Sequence, residues 1–435
     1  MKSLKIKTLF FILVMSGCTF SKPLEINFPS LANPIVGILD LSFGTSGVTS
    51  VRVSTAPTGQ EFISAMILQP DGKIVVGGRG LGAVNNDFTL ARYTSAGALD
   101  PAFGSSGVVQ TDLGGTHDTI YFLALQPDGK IIAAGGSGNC DVSQLVRYNS
   151  DGSLDNTFGT AGVSTATIAN HCFQDIKLLS DGKFLVGGWR YVGAKTWVLA
   201  KFQSNGALDT TFGTNGVVNS TNFSSISNVT KVALQSDNKI IIAGGFWNVD
   251  HMNPTIARLN PNGSLDSSFG TGGVNTITMA GDAGANGLQI AADGKIILSV
   301  YVSDLAWVDS QLAMVRLTST GSLDPTFGLN GITIVNPGSY MDGTTNVEIQ
   351  RDGNYVVGGY SCDQSYSICS FLVLRILPTG QLDATFGTNG IADLRIGSAD
   401  SYANYVLIQP DGKIIVGGSS NAGGGVRNFT LARFK

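Results

Sequence analysis

The chain has 435 residues and a formal net charge of −4, with 13% charged residues, 43% apolar residues and 57 glycines. Mild acidity and scattered basic residues exclude nucleic-acid binding, which needs clustered Lys and Arg against phosphates. Plentiful β-branched and aromatic residues exclude a disordered chain, leaving a turn-rich β protein.

The N-terminus reads "MKSLKIKTLFFILVMSGCTF". Lys2, Lys5 and Lys7 precede the apolar run Leu9 to Met15, and Ser16 and Gly17 lead into Cys18, which predicts a secretory signal over residues 1–17. The run is too short to span a bilayer. "MSGC" resembles the lipobox of bacterial lipoproteins, with Met15 where Leu is usual. That resemblance implies cleavage before Cys18, acylation of its thiol and, with Thr19 rather than Asp next, an outer-membrane or cell-surface destination. Without acylation the protein is periplasmic or secreted. Residues 18–37 then form an anchor and a polar tether. The remaining cysteines, Cys140, Cys172, Cys362 and Cys369, are even in number, which in an exported chain favours two disulfides.

From residue 38 three markers recur seven times in fixed order. A Leu-Asp turn, as in "LDPAFGSSG", carries Asp40, Asp100, Asp155, Asp209, Asp266, Asp324 and Asp383, at intervals of 54 to 60 residues. A hairpin, as in "LQPDGKIVVGG", carries Asp71, Asp128, Asp181, Asp237, Asp293, Asp352 and Asp411. A short apolar strand, as in "LARY", carries Arg92, Arg147, Lys201, Arg258, Arg316, Arg375 and Arg433. Such a period signals a repeat architecture whose units bury their faces against neighbours. The second unit reads as four strands, "TIYFLALQ", "KIIAAGG", "SQLVRY" and "GVSTAT", with Asp-Gly supplying the positive φ angles of the first hairpin turn. No sustained 3.6-residue apolar stripe appears, so helices are not expected.

The repeat region opens with a fourth strand, "GVTSV" from Gly47, and stops after a third, "TLARF". The two ends complete one sheet, which predicts a closed, all-β, seven-bladed β-propeller over residues 38–435. With "LDxxFGxxG", the "QPDGKI" hairpin and "LARY" in hand, the chain resembles the delta-60 repeat family of bacterial β-propeller proteins. The resemblance implies the propeller and brings no catalytic residues to transfer. Asn238, Asn354 and "SVYVSDL" depart from the repeat.

In a propeller the loops sort by face. Those joining strands one to two and three to four carry the repeated motifs, whereas the two-to-three and blade-to-blade loops vary, which makes the second face the binding candidate. Trp189, Tyr191, Phe246, Trp247, Tyr301, Trp307, Tyr360 and Tyr366 fall there and offer rigid contact area for a sugar, peptide or protein. Trp197 aligns with Phe88 in a strand and reads as core. His117, His171 and His251, with Asp118, are candidate metal ligands without ligand-like spacing. Glu61, Asp118, Asp282, Asp342 and Asp400 fall at the starts of innermost strands, where oxygen ligands could hold Ca²⁺ at the channel mouth. The recurring Arg and Asp read as a structural ion pair. Cys362 and Cys369 close a loop in the sixth unit, and Cys140 and Cys172 bridge adjacent units.

These features favour a non-enzymatic binding scaffold, held to the envelope by a lipid anchor and recognising protein, peptide or glycan. The alternatives are a hydrolase or lyase acting on a polysaccharide or other envelope substrate, and a purely structural surface protein.

Overall fold

The computed structural model describes residues 25–27, 38–54, 59–114, 117–137, 142–164, 166, 168, 171–192, 194–219, 226–247, 250–304, 310–337, 341–363, 368–397, 400–423 and 425–435. Side chains of residues 25–27, 137, 190–196 and 341–342 are outside that description. Each blade starts from its hairpin turn. In the first, Gly72 N–H donates to Gln69 O and Gln69 N–H to Lys73 O, both at 2.9 Å. Gly72 lies at φ +81°, so a type I turn with Pro70 preset ends in one left-handed residue. Only the second residue of Asp-Gly needs positive φ. Asp71 instead accepts the Lys73 N–H at 3.1 Å. Asn238 takes the glycine's place at φ +64°, a conformation Asn tolerates.

The described chain forms seven blades, first strand innermost. Blade 1 is Phe62–Leu68, Ile74–Leu81, Asn86–Tyr93 and Val108–Thr111. Blade 2 is Asp118–Leu125, Ile131–Ser137 and Val142–Tyr148; blade 3 is Cys172–Leu178, Phe184–Val192, Ala194–Phe202 and Val217–Asn219. Blade 4 is Asn228–Leu234, Ile240–Trp247, Met252–Leu259 and Val274–Thr276; blade 5 is Asp282–Ile290, Ile296–Ser303, Ser310–Leu317 and Ile332–Asn336. Blade 6 is Met341–Ile349, Tyr355–Cys362, Cys369–Ile376 and Ile391–Leu394. Blade 7 takes Ser401–Ile408, Ile414–Gly423 and Val426–Phe434 from the C-terminus and Val48–Val51 from the N-terminus, paired antiparallel from Val48↔Ala432 to Val51↔Phe429. The ring is thus closed as the chain ends predict. In blade 2 the expected outer strand is reduced, among the described residues, to a bridge between Val146 and Val163 and a Ser164 N–H bond to Leu145 O. Glu25–Asn27, inside the expected tether, adds parallel to Ile332–Asn336 as a fifth strand on blade 5.

Every innermost strand bulges at the same place, as at Ile63/Ala65, Val229/Lys231 and Ala403/Tyr405. The bulge turns a polar side chain onto the next blade. Thr230 Oγ1 donates to Ala285 O at 2.6 Å, Asn286 Nδ2 to Thr344 O at 3.0 Å, and Asn404 Nδ2 to Ile63 O at 2.8 Å. Asn346 makes two such bonds, to Val406 O at 2.9 Å and from Val406 N–H at 2.7 Å. The repeated Gly-Gly of the second strand faces this bulge. A Cβ on Gly188 would stand 2.1 Å from Cys172 O. Blade 5 carries Ser299 and Val300 there and moves its glycine across, with Gly287 opposite Ser299 Oγ.

Seven hydrophobic clusters fill the seven blade interfaces; that between blades 1 and 2 joins Val75, Leu90 and Phe103 to Ile120, Ile131 and Val146. The Arg and Asp markers knit the same interfaces, as the sequence implies. Arg147 Nε donates to Asp155 Oδ2 at 2.7 Å, its guanidinium lies 4.7 Å over Phe158, and Nη1 donates to Ser204 O of the next blade at 2.5 Å. The hairpin lysine joins them, with Lys130 Nζ 3.2 Å from Asp155. Arg92, Arg258, Arg316 and Arg433 repeat the pattern onto Ser150, Ser319, Pro378 and Ser95. No helix among the described residues is long and apolar enough to cross a membrane.

Candidate functional site

Both loop classes that vary in sequence gather on one face, where second strands end and first and third strands begin. Trp247 ends the second strand of blade 4 at 39% exposure, its N–H donating to Ser227 Oγ at 3.0 Å. Phe246 and Trp189 are half-buried beside it and on blade 3. Tyr301 packs over Gly284, which has no Cβ to block it, and burial pushes its hydroxyl up to about 12. Trp197 is fully buried between blades 3 and 4, as its alignment with Phe88 implies. Trp307, Tyr366 and the Tyr191 side chain lie outside the described residues. Three of the four exposed large apolar residues in the described structure, Val84, Val142 and Trp247, share this face; the fourth, Leu41, does not.

A ladder of half-buried rings and guanidinium groups crosses the same face. Tyr360 of blade 6 meets Tyr402 of blade 7 edge-on at 5.2 Å. Arg427 lies 4.8 Å over Tyr402 and 5.3 Å over Phe62 of blade 1, and Arg79 covers the same Phe62 at 4.6 Å. Asp400 pairs with Arg427 and accepts from Asn421 Nδ2 at 3.1 Å. Cation–π stacking of this kind holds planar groups on edge at a surface and leaves donors free for acceptors above it. Of the ladder, the sequence singled out only Tyr360, because ring closure is what brings Phe62 beside Arg427. The available signal was that Arg79 and Arg427 are the only basic residues in the two-to-three segments of the first and seventh repeats, apart from their motif arginines.

Among the described residues the acidic and histidine candidates do not assemble as a ring. Glu61 is fully buried and accepts Val53 N–H and Ser54 N–H at 2.8 Å each, while Asp282 accepts Met252 N–H at 2.7 Å and Asp118 accepts Leu113 N–H at 3.0 Å. Glu61 and Asp118 fasten the preceding connecting segments to the starts of first strands, and Asp282 fastens the start of blade 4's third strand there. The Asp342 side chain lies outside the described residues. His117 is exposed, His171 and His251 are half-buried, and among the described residues none joins a cluster of three ligand-type side chains; the cluster that does form is Asp87, Asp112 and Asp118.

Cys362 and Cys369 are disulfide-bonded, closing the sixth two-to-three loop as expected. Cys172 is also in a disulfide. Cys140 lies outside the described residues.

Deeper in the channel the second halves of the first strands enclose about 220 Å³. Lys231 Nζ sits 4.2 Å over the Phe122 ring, and burial lowers its ammonium while Asp175 raises it. Burial pushes Glu348 up to about 7, against the pull of Lys177 and an amide bond from Asn346. Burial, then Glu348 and Asp175, push the Tyr405 hydroxyl upward. The chamber is small, and Asp175 is already committed to Ile176 N–H and Val232 N–H at 3.0 and 2.7 Å. Its arrangement suits joining blades 2 to 7 more than admitting a polymer.

Fold and face together define a seven-bladed β-propeller of one repeated motif, with a constant face and a variable one. The match to known sequences falls on that motif: residues 69–103, 126–158, 179–212, 235–269, 291–327 and 409–435 match the family described as "Domain of unknown function (DUF5122) beta-propeller". The match supports a repeated β-propeller motif. No curated protein matches the chain. Similar solved structures include the polysaccharide lyase Uly1, at 12% identity and TM-score 0.47, covering 88% of this chain and 90% of that one. Sqt1 from Chaetomium thermophilum is similar at 11% identity and TM-score 0.46, covering 86% and 97%. The β-propeller domain of the Trilobed protease from Pyrococcus furiosus is similar at 10% identity and TM-score 0.46, covering 88% and 95%.

Proposed function

We propose that the protein is a non-catalytic recognition scaffold of the delta-60 type, displayed on the bacterial envelope through an acylated Cys18, and that its variable face takes a protein, peptide or glycan. The observation that carries this reading is the concentration of exposed Val84, Val142 and Trp247 on the face that also bears the Arg and aromatic ladder. Exposed apolar side chains sharing one face with stacked rings and donors are what a recognition surface presents. The opposite face repeats one structural network seven times, and a site is made once.

The test is binding of the full-length chain to fractionated envelope glycans and peptides, beside a Trp247→Ala, Val84→Ser variant with unchanged melting. Retention of a defined fraction by the parent and its loss in the variant supports the reading. Equal retention by both, or turnover of the fraction by the parent, defeats it.

A further inference from the structure

Three chain segments meet where blade 1 passes to blade 2. Asp87 lies in the third strand of blade 1, Asp112 follows its fourth strand, and Asp118 starts blade 2. One carboxylate oxygen from each lies within 4.8 Å of the other two. Asp118 is fully buried, Asp87 is 7% exposed, and Asp112 reaches solvent.

Two of the three have backbone partners. Asp112 Oδ1 accepts Gly114 N–H at 2.8 Å and Asp118 Oδ2 accepts Leu113 N–H at 3.0 Å. Asp87 differs. Among the described residues its carboxylate accepts no hydrogen bond and faces no Lys, Arg or His; the charged groups beside it are the carboxylates of Asp112 and Asp118. Its Oδ2 stands 1.9 Å from where a Cβ on Gly82 would sit, so it lies against a bare CH₂ rather than a donor. A buried carboxylate aimed at two others, with no cationic side chain in reach among the described residues, is unstable as it stands.

We propose that Asp87, Asp112 and Asp118 bind a Ca²⁺ ion that clasps blades 1 and 2, the open side at Asp112 left to water. The donor set is all oxygen, which suits a hard cation and not zinc. Ca²⁺ accepts a dedicated carboxylate cage of irregular geometry, whereas Mg²⁺ keeps most of its water. The ion would also fix the loop bearing Val84, and the proposal stands whether or not that face recognises a ligand.

The experiment is calorimetric titration of EDTA-stripped, full-length protein with CaCl₂, and melting with Ca²⁺ against NaCl of equal ionic strength. Expected is one saturable ion with Kd of about 10⁻³ M or tighter, as in extracellular modules, and a rise in Tm that NaCl does not reproduce. Asp112→Asn keeps the acceptor for Gly114 N–H and relieves part of the like-charge repulsion on Asp87, so its metal-free Tm should not fall while binding weakens by about tenfold or more. Asp87→Asn removes the unpartnered charge, so its metal-free Tm should rise while the Ca²⁺ response disappears. The proposal fails if the parent shows no saturable heat, if Zn²⁺ or Mg²⁺ outcompetes Ca²⁺, or if either variant binds as the parent does.

Discussion

Replacing Arg147 by Ala tests whether the recurring basic residue is a blade fastener. Its side chain is 8% exposed, and the change removes the bond to Asp155 at 2.7 Å, the bond to Ser204 O, a bond to Thr157 Oγ1 at 3.2 Å and the stack on Phe158. Removing one partner of a buried ion pair costs about 3–5 kcal/mol. Lys130, 3.2 Å from the same carboxylate and 30% exposed, offsets part of this, while the lost stack adds about 1 kcal/mol, for a total of about 3–4 kcal/mol. Arg147→Lys should cost only about 1–2 kcal/mol, because it keeps the charge and forfeits the fork. Blade 3 already lives with that arrangement: Lys201 Nζ stands 3.8 Å from Asp209 and 5.9 Å from Phe212. Urea unfolding at pH 7 of parent, Ala and Lys variants reads the difference. An Ala variant within about 0.5 kcal/mol of the parent, or a Lys variant as costly as Ala, refutes the reasoning.

Acid should unfold the ring through the same network. Lys183, donating at 2.8 Å, and then Thr211 hold the Asp209 carboxyl at about 2; a depressed folded value gives stability that is complete above the unfolded value near 4 and lost as pH falls through about 2. Melting between pH 5 and 2 checks this, and Asp209→Asn should flatten part of the slope. Glu348 works in the opposite sense, since its value of about 7 disfavours folding as pH rises past about 4.5; Glu348→Gln should stabilise by about 1–2 kcal/mol at pH 8 and by nothing at pH 4. Asn346→Ala orphans Val406 N–H and C=O together and should cost about 2–3 kcal/mol in denaturant unfolding. Deleting the Cys362–Cys369 bridge as the double variant Cys362→Ser, Cys369→Ser frees a short loop and should cost about 2 kcal/mol, read as the shift between parent and variant melts under oxidising conditions, where the Cys172 disulfide stays intact.

The propeller was legible because its punctuation repeats: Gly after Asp in the hairpin, Phe-Gly after Leu-Asp, and Arg in the third strand each serve a backbone or packing need met seven times. The disulfide at Cys362 and the core role of Trp197 were legible for similar reasons. The bulge residues Thr230, Asn286, Asn346 and Asn404 were not, because their identities vary while only their position recurs, five or four residues before the hairpin turn. The channel-mouth acids were misplaced in role: a carboxylate near a strand start looks solvated in sequence, yet Glu61 and Asp282 turn inward to satisfy backbone N–H groups. The ladder and the Asp87 cluster escaped because both are made by segments meeting across blades.

The seam of the seventh blade also sets how the protein answers a pull. Thr430 and Ser50 touch although 380 residues separate them, so closing the last sheet costs about 5 kcal/mol of chain entropy that local blade contacts do not. A force on the N-terminal segment meets the added strand Glu25–Asn27 on blade 5 first and then Val48–Val51, the first strand of the four-stranded blades that it reaches. The turn ahead of that strand is clamped by Arg433, which lies 4.7 Å over Phe43, bonds Ser95 O at 2.6 Å and pairs with Asp40 at 2.9 Å. The fastener that elsewhere joins one blade to the next here ties the last repeat to the first turn, so a pull that reaches residue 38 is met by a repeat unit's ordinary chemistry and not by a dedicated lock.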